Sequence, residues 1–143
     1  MATKLSKRSM SFVISPNAKN LAIVSGIQVI IISLKNLKIQ KVLKHRLRIT
    51  SAIWRNDDYL ITASDDYHIR EWDIRRGSER IIFSTPRWIW SLSLSADKTR
   101  LLIGTEDNMM GPNHCGHAMV INLNTGKPLS DRMQHPGTVL QTL

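Results

Sequence analysis

Apolar residues recur at every second position in short runs: "SMSFVIS" near the start and "WSLSLS" from Trp90 alternate small polar with apolar side chains. Alternation of period two puts successive side chains on opposite sides of an extended backbone, so each run reads as a strand with one buried face. Between the runs stand "SPNAKN", "RNDD" and "SADKTR", whose short polar side chains bond their own backbone and favour turns. "LKN", "RRG" and "NTG" close later strands, where Gly77 and Gly126 are free to take positive φ. Frequent β-branched residues and repeated turn signals work against any helix of three turns. The pattern predicts an all-β chain of about twelve short strands.

Three segments share one order of features: strand, polar turn, strand, small-residue turn, strand, polar turn, strand. The first runs from "SMSFVISPNAKNLAIVSG" into "IQVIIISLKNLKIQKVLKH", the second from "ITSAIWRNDDYLITASDD" into "YHIREWDIRRGSERIIF", the third from "WSLSLSADKTRLLIGTED" to "AMVINLNTGKPLS". Ile23, Ala63 and Ile103 fall forty residues apart, as do Ile32 and Trp72, which is the period of stacked supersecondary units. The expected division is a basic tail over 1–8, units over 9–48, 49–89 and 90–135, and the start of a further unit over 136–143. The third unit carries the insertion "EDNMMGPNHCGHA" between its second and third strands, and "TVLQTL" has the look of an opening strand.

The stretch "ASDDYHIREWD" in the second unit resembles the signature of WD40 repeats, and the flanking units follow the same landmarks more loosely over roughly residues 9–135. The resemblance implies that each unit is a four-stranded blade of a β-propeller. It also implies a buried hydrogen-bonded cluster drawn from His45, Thr62 or Ser64, Asp66 and Trp72, with Asp73 completing the Trp-Asp pair. Departures from the pattern are Lys44 before His45, where the family usually has glycine, Ile32-Ser33 in the first unit and Ile121-Asn122 in the third. Such a cluster fixes strand register, because an unpaired buried member costs about 1–3 kcal/mol. Its aspartate and histidine are therefore expected to be structural, and no residue is expected to be catalytic. A propeller needs at least about four blades, so the ring is expected to be incomplete unless the chain is extended or assembled with a copy of itself or another chain.

Composition narrows the setting. The 143 residues and 16.3 kDa suit one domain, and 42% hydrophobic residues suffice for a core. No apolar run approaches the roughly 20 residues of a membrane-crossing helix. The start "MATKLSKRSMSF" lacks a signal-peptide apolar segment, and the lone Cys115 excludes an intrachain disulfide. An intracellular protein of the cytoplasm or nucleus is expected, with no membrane partner. The net charge of +9 is uneven: residues 1–48 hold ten Lys or Arg and no acid, while 49–143 hold ten basic and eleven acidic residues. Lys38, Lys41 and Lys44 in the first third are candidates for contact with RNA phosphates, a salt-sensitive mode of binding. Charged edges that prevent unwanted strand addition are the alternative account.

Arg87, Trp88 and Trp90 stand where the second unit passes to the third. Residues two apart share a strand face, so the tryptophans can pack together, or else sit exposed beside Arg87 as an interface anchor. Met109 and Met110 in the insertion offer adaptable apolar contacts to a partner. His114, Cys115 and His117, with Asp107 or His135, are ligand types for zinc, but one crowded cluster lacks the two spaced pairs of a structural site. No metal or cofactor is expected, and no orienting carboxylate supports Cys115 as a nucleophile. The expected function is a non-enzymatic protein–protein interaction scaffold in a multiprotein complex. The alternatives are an RNA- or ribonucleoprotein-associated propeller using the basic first third and, last, a metal-dependent hydrolase.

Overall fold

The computed structural model describes residues 10–106, 115–131 and 133–136. Strands β1 (Met10–Ile14), β2 (Asn20–Ser25), β3 (Gln28–Ser33) and β4 (Ile39–Lys44) form one antiparallel sheet in sequence order. The second sheet contains β5 (Ile49–Trp54), β6 (Tyr59–Ser64), β7 (His68–Asp73) and β8 (Ser78–Ser84), and the third β9 (Trp88–Leu94), β10 (Arg100–Glu106), β11 (Cys115–Asn122) and β12 (Met133–Pro136). Of the expected start of a further unit over 136–143, Pro136 ends β12 of the third sheet and residues 137–143 lie outside the described residues. Among the described residues no helix is long and apolar enough to cross a membrane.

The polar turns form as their composition dictates. Asn17 Oδ1 accepts from the Lys19 amide at 2.9 Å and the Ser15 hydroxyl at 2.9 Å, and Asp97 Oδ1 accepts from the Thr99 amide at 3.0 Å. Ala18 and Lys98, between these partners, take φ of 56° and 59°. The hydroxyl of Ser95, with the amide and hydroxyl of Thr99, holds Asp97 down to about 2.

Period-two alternation gives the middle sheet two apolar faces. Trp54, Leu60, Trp72 and Ile74 pack on Ala22, Val29, Ile31 and Leu43 of the first sheet. Ile61, Ala63, Ile69 and Ile82 pack on Ile89, Leu101, Ile103 and Ile121 of the third. Strand β5 packs against both β1 and β9, so the sheets radiate from their first strands like blades. Turns at Gly26–Ile27 and at 45–48, 65–67 and 85–87 gather on one rim.

Register corrects the forty-residue alignment at one landmark. Ile32 stands opposite Leu21, Trp72 opposite Leu60, and Ile121 opposite Leu101, so these three are equivalent. Ile23 and Ile103 then match Thr62, whereas Ala63 faces the third blade. The cause is turn length: β2 and β3 are joined through residues 26–27, but β6 and β7 through 65–67, and one extra residue moves the β6 equivalents by one position.

Two blades come unusually close at Gly126. Its φ is 68°, and a β-carbon there would collide with the carbonyl oxygen of Ile82 on β8. Gly77, with φ of 74°, instead faces the flexible end of Lys41, whose Nζ would lie 2.8 Å from an added β-carbon.

Candidate interaction surface

The middle blade contains the polar cluster. Trp72 Nε1 donates to Thr62 Oγ1 at 2.9 Å, and the same oxygen lies 3.0 Å from His45 Nε2. The rings of His45 and Trp72 are tilted at 56° with centroids 5.3 Å apart. Asp66 joins through an intermediary: Arg70 Nη1 donates to Asp66 Oδ1 at 3.0 Å and lies 3.5 Å from His45 Nδ1, while Arg70 Nη2 pairs with Asp66 Oδ2 at 2.7 Å. Ser64 serves elsewhere, donating to the Leu47 carbonyl at 3.3 Å and accepting from the Asp66 amide at 3.4 Å. Thr62 is thus the hydroxyl of the cluster.

Electrostatics follow from this packing. Burial first, then the neighbouring charge of Arg70, lowers His45 to about 4, against a smaller opposing pull from Asp66. For Asp66 burial acts upward, but the hydrogen bond and charge of Arg70 outweigh it and hold the carboxyl below its ordinary value. At neutral pH the cluster therefore contains a neutral imidazole and an ionised Asp66–Arg70 pair.

A second polar group ties the middle blade to the third. Glu71 is 4% exposed, accepting from Arg55 Nη1 at 2.6 Å and Arg80 Nε at 2.7 Å. Arg55 also reaches Asn124 Oδ1 at 2.8 Å, and Arg80 reaches the Leu123 carbonyl at 3.4 Å. A solvent-open cleft of about 630 Å³ lies beside this latch, with Asn56, Asp73 and Thr99 among its walls. The sequence signal was a glutamate at an alternating strand position between two arginine-bearing segments.

The rim is the other missed feature. Ile27, Leu47 and Tyr67 are exposed apolar side chains, one from each of three successive rim turns. Backbone bonds stitch these turns together: His45 N to Ile27 O at 2.8 Å, Asp65 N to Arg48 O at 2.8 Å, and Thr85 N to Tyr67 O at 3.1 Å. Arg48 adds an ion pair to Asp65 at 2.9 Å and stacks 5.7 Å from the Trp90 ring centre. Apolar letters inside otherwise polar turns, as in "HRLR" and "DDYH", were the signal available.

Arg87, Trp88 and Trp90 lie at the start of the third blade and are half-buried. The alternation expected to place the two tryptophans on one face is interrupted, because Thr105 pairs with Ile89 and Gly104 with Ser91, leaving Trp90 as the extra residue of a β-bulge. Its Nε1 is buried with no hydrogen-bond partner among the described residues. Met109, Met110, Asp107 and His114 lie outside the described residues. Cys115 and His117 belong to β11 rather than to a tight loop; His135 lies in β12, its side chain outside the description. Among the described residues no three potential ligands gather around a metal position.

The three lysines do not converge. Lys38 is in the turn before β4, Lys41 turns toward Gly77 of the second blade, and Lys44, opposite Gln28, belongs to the other face of β4. From residue 38 to 44 an extended chain spans roughly 20 Å. Only Lys44 approaches the rim, where Arg46 and Arg48 are also exposed.

Three four-stranded antiparallel blades, packed face to face and radiating from their first strands, define a β-propeller-type fold. Solved structures agree. The computationally designed Ika4 protein matches at a TM-score of 0.69 and 18% identity, over 98% of this chain and 82% of that one. The β-propeller domain of Cps50 (Swd1) from Myceliophteria thermophila matches at 0.75 and 16% identity, over 91% of this chain but 43% of that one. The likeness is one of fold. No protein-family model and no curated protein matches the sequence.

Proposed function

We propose that the chain is a WD40-type propeller segment working as a non-enzymatic protein–protein interaction scaffold within a multiprotein complex of the cytoplasm or nucleus. The observation that carries this reading is the rim, where Ile27, Leu47 and Tyr67 are held out by turns bonded to one another. Side chains presented on fixed backbone bind with little ordering cost, and apolar or aromatic anchors beside arginine are the usual source of interface energy. Exposed Lys44 and Arg46 and half-buried Trp90 under Arg48 extend the surface and favour a partner with acidic and apolar side chains.

Affinity purification with quantitative mass spectrometry tests the reading. Leu47→Ala with Tyr67→Ala should deplete the co-purifying proteins at least tenfold while the far-ultraviolet circular dichroism stays that of the parent. Alanine at Trp88 or Trp90 should weaken the same complex. Partners retained by all these variants would overturn the proposal. A second reading, RNA contact, is favoured by the basic run Lys44, Arg46 and Arg48 on the rim. It requires RNA binding that falls steeply with salt and less steeply when Lys44, Arg46 and Arg48 are made uncharged; salt-independent or absent binding refutes it.

A further inference from the structure

The first blade has one face that none of the described residues covers. Register sets Phe12 of β1 beside Ile23 of β2, Ile30 of β3 and Val42 of β4, with Met10 and Ile14 flanking in the same column. Phe12 is 61% exposed, Ile14 58% and Met10 53%. Single exposed apolar residues are ordinary, but a sheet face of contiguous ones marks an interface. Its position shows what kind: Ile14 is equivalent to Trp54 and Ile32 to Trp72, and in the second blade those residues are buried against the blade before it. The uncovered face is therefore shaped to receive a preceding blade.

The far side of the third blade presents the matching surface. Leu102 pairs with Val120 there as Ala22 pairs with Ile31 on the face that covers the second blade, and Ala118 takes the place of Val29. All three of these third-blade residues are half-buried, with no further blade described beyond them. We propose that a second copy of this chain seats its Leu102–Val120 face on the Phe12 face of the first, and that the reciprocal contact closes a two-chain ring of six blades.

Two observations select this occupant over a simple pairing of first blades. Pairing like with like would juxtapose two segments that each carry ten basic residues and no acid over 1–48, whereas residues 90–135 hold four basic and four acidic residues. Head-to-tail contact also covers both end faces, and such an interface closes when the rotation between copies completes a circle. At 43% of the Cps50 propeller domain, two chains supply close to one propeller's length. The contact uses the end faces and leaves the rim available, so it stands apart from the scaffold reading.

Light scattering of the 143-residue chain should give twice 16.3 kDa. Phe12→Glu and Leu102→Glu should each convert it to a folded monomer, since each removes one member of both contacts. Mixed in equal amounts, these variants should return to a dimer, because one wild-type Phe12 face and one wild-type Leu102 face remain to meet. Should Phe12→Glu lose its β-sheet circular dichroism, Met10→Lys at the exposed strand start provides the same readout. A monomeric parent, open polymers, a Leu102→Glu variant that stays dimeric, or a mixture that stays monomeric would overturn the proposal.

Discussion

His45 is neutral in the folded chain, and its environment makes stability depend on pH in one direction. Its folded value of about 4 lies below the ordinary 6.5, chiefly because it is buried and also because Arg70 adjoins it. As pH falls the unfolded chain takes up the proton first, so the stabilisation is complete above pH 6.5 and is lost between 6.5 and about 4. With screening by solvent the loss is on the order of 2 kcal/mol. Urea midpoints measured across that interval should fall, and His45→Phe should flatten the slope. Asp66, lowered from its ordinary 3.8, adds a further loss only below that pH. A second expectation concerns the Trp72–Thr62 bond. Thr62→Val leaves the indole N–H buried and unpaired and should cost about 1–3 kcal/mol. In a cycle with Trp72→Phe the double variant should cost less than the sum by about 1 kcal/mol, read from urea unfolding. His45, Thr62 and Trp72 were legible because their residue types stand at a recognisable spacing. Arg70 and Glu71 were not: a charge at an alternating strand position reads the same whether buried or exposed, and the partners of Glu71 come from the turn after β5 (Arg55) and from β8 (Arg80).

Whole strands and turns were more readable than their alignment. Alternation located the strands, yet neither the one-residue difference between the β2–β3 and β6–β7 turns nor the bulge at Trp90 leaves a mark in hydrophobicity. Both depend on which residue pairs with which across the sheet. Turn glycines were legible as a class but not ranked. Structure ranks them: Gly126→Ala adds a collision with backbone of the neighbouring blade to a left-handed φ, while Gly77→Ala meets a lysine tail that can swing aside. Chemical denaturation should show a loss of about 2 kcal/mol or more for Gly126→Ala and about 1 kcal/mol for Gly77→Ala.

For the molecule as a whole, burial is graded from the centre outward. The second blade packs on both faces, each flanking blade on one. Hydrogen exchange followed by mass spectrometry, on the Phe12→Glu variant, should therefore find the amides of β6 and β7 slowest and those of β1 at least tenfold faster. Equal protection across the blades would contradict this gradient. The three units and the lopsided charge were legible in the sequence. The chemistry of the end faces was not, because which side of a strand meets a neighbour depends on how blades stack.

Thr62 and Trp72 have isoleucine counterparts in the blades on either side, Ile23 with Ile32 and Ile103 with Ile121. The run Val29, Ile30, Ile31, Ile32 in β3 is aliphatic on both sides, so sliding it by one residue exchanges one greasy side chain for another. The same slip in β7 would tear Trp72 from Thr62 and Arg70 from Asp66. Polar bonds in the middle blade thus tie its side chains to one alignment in a way that the aliphatic run of β3 does not.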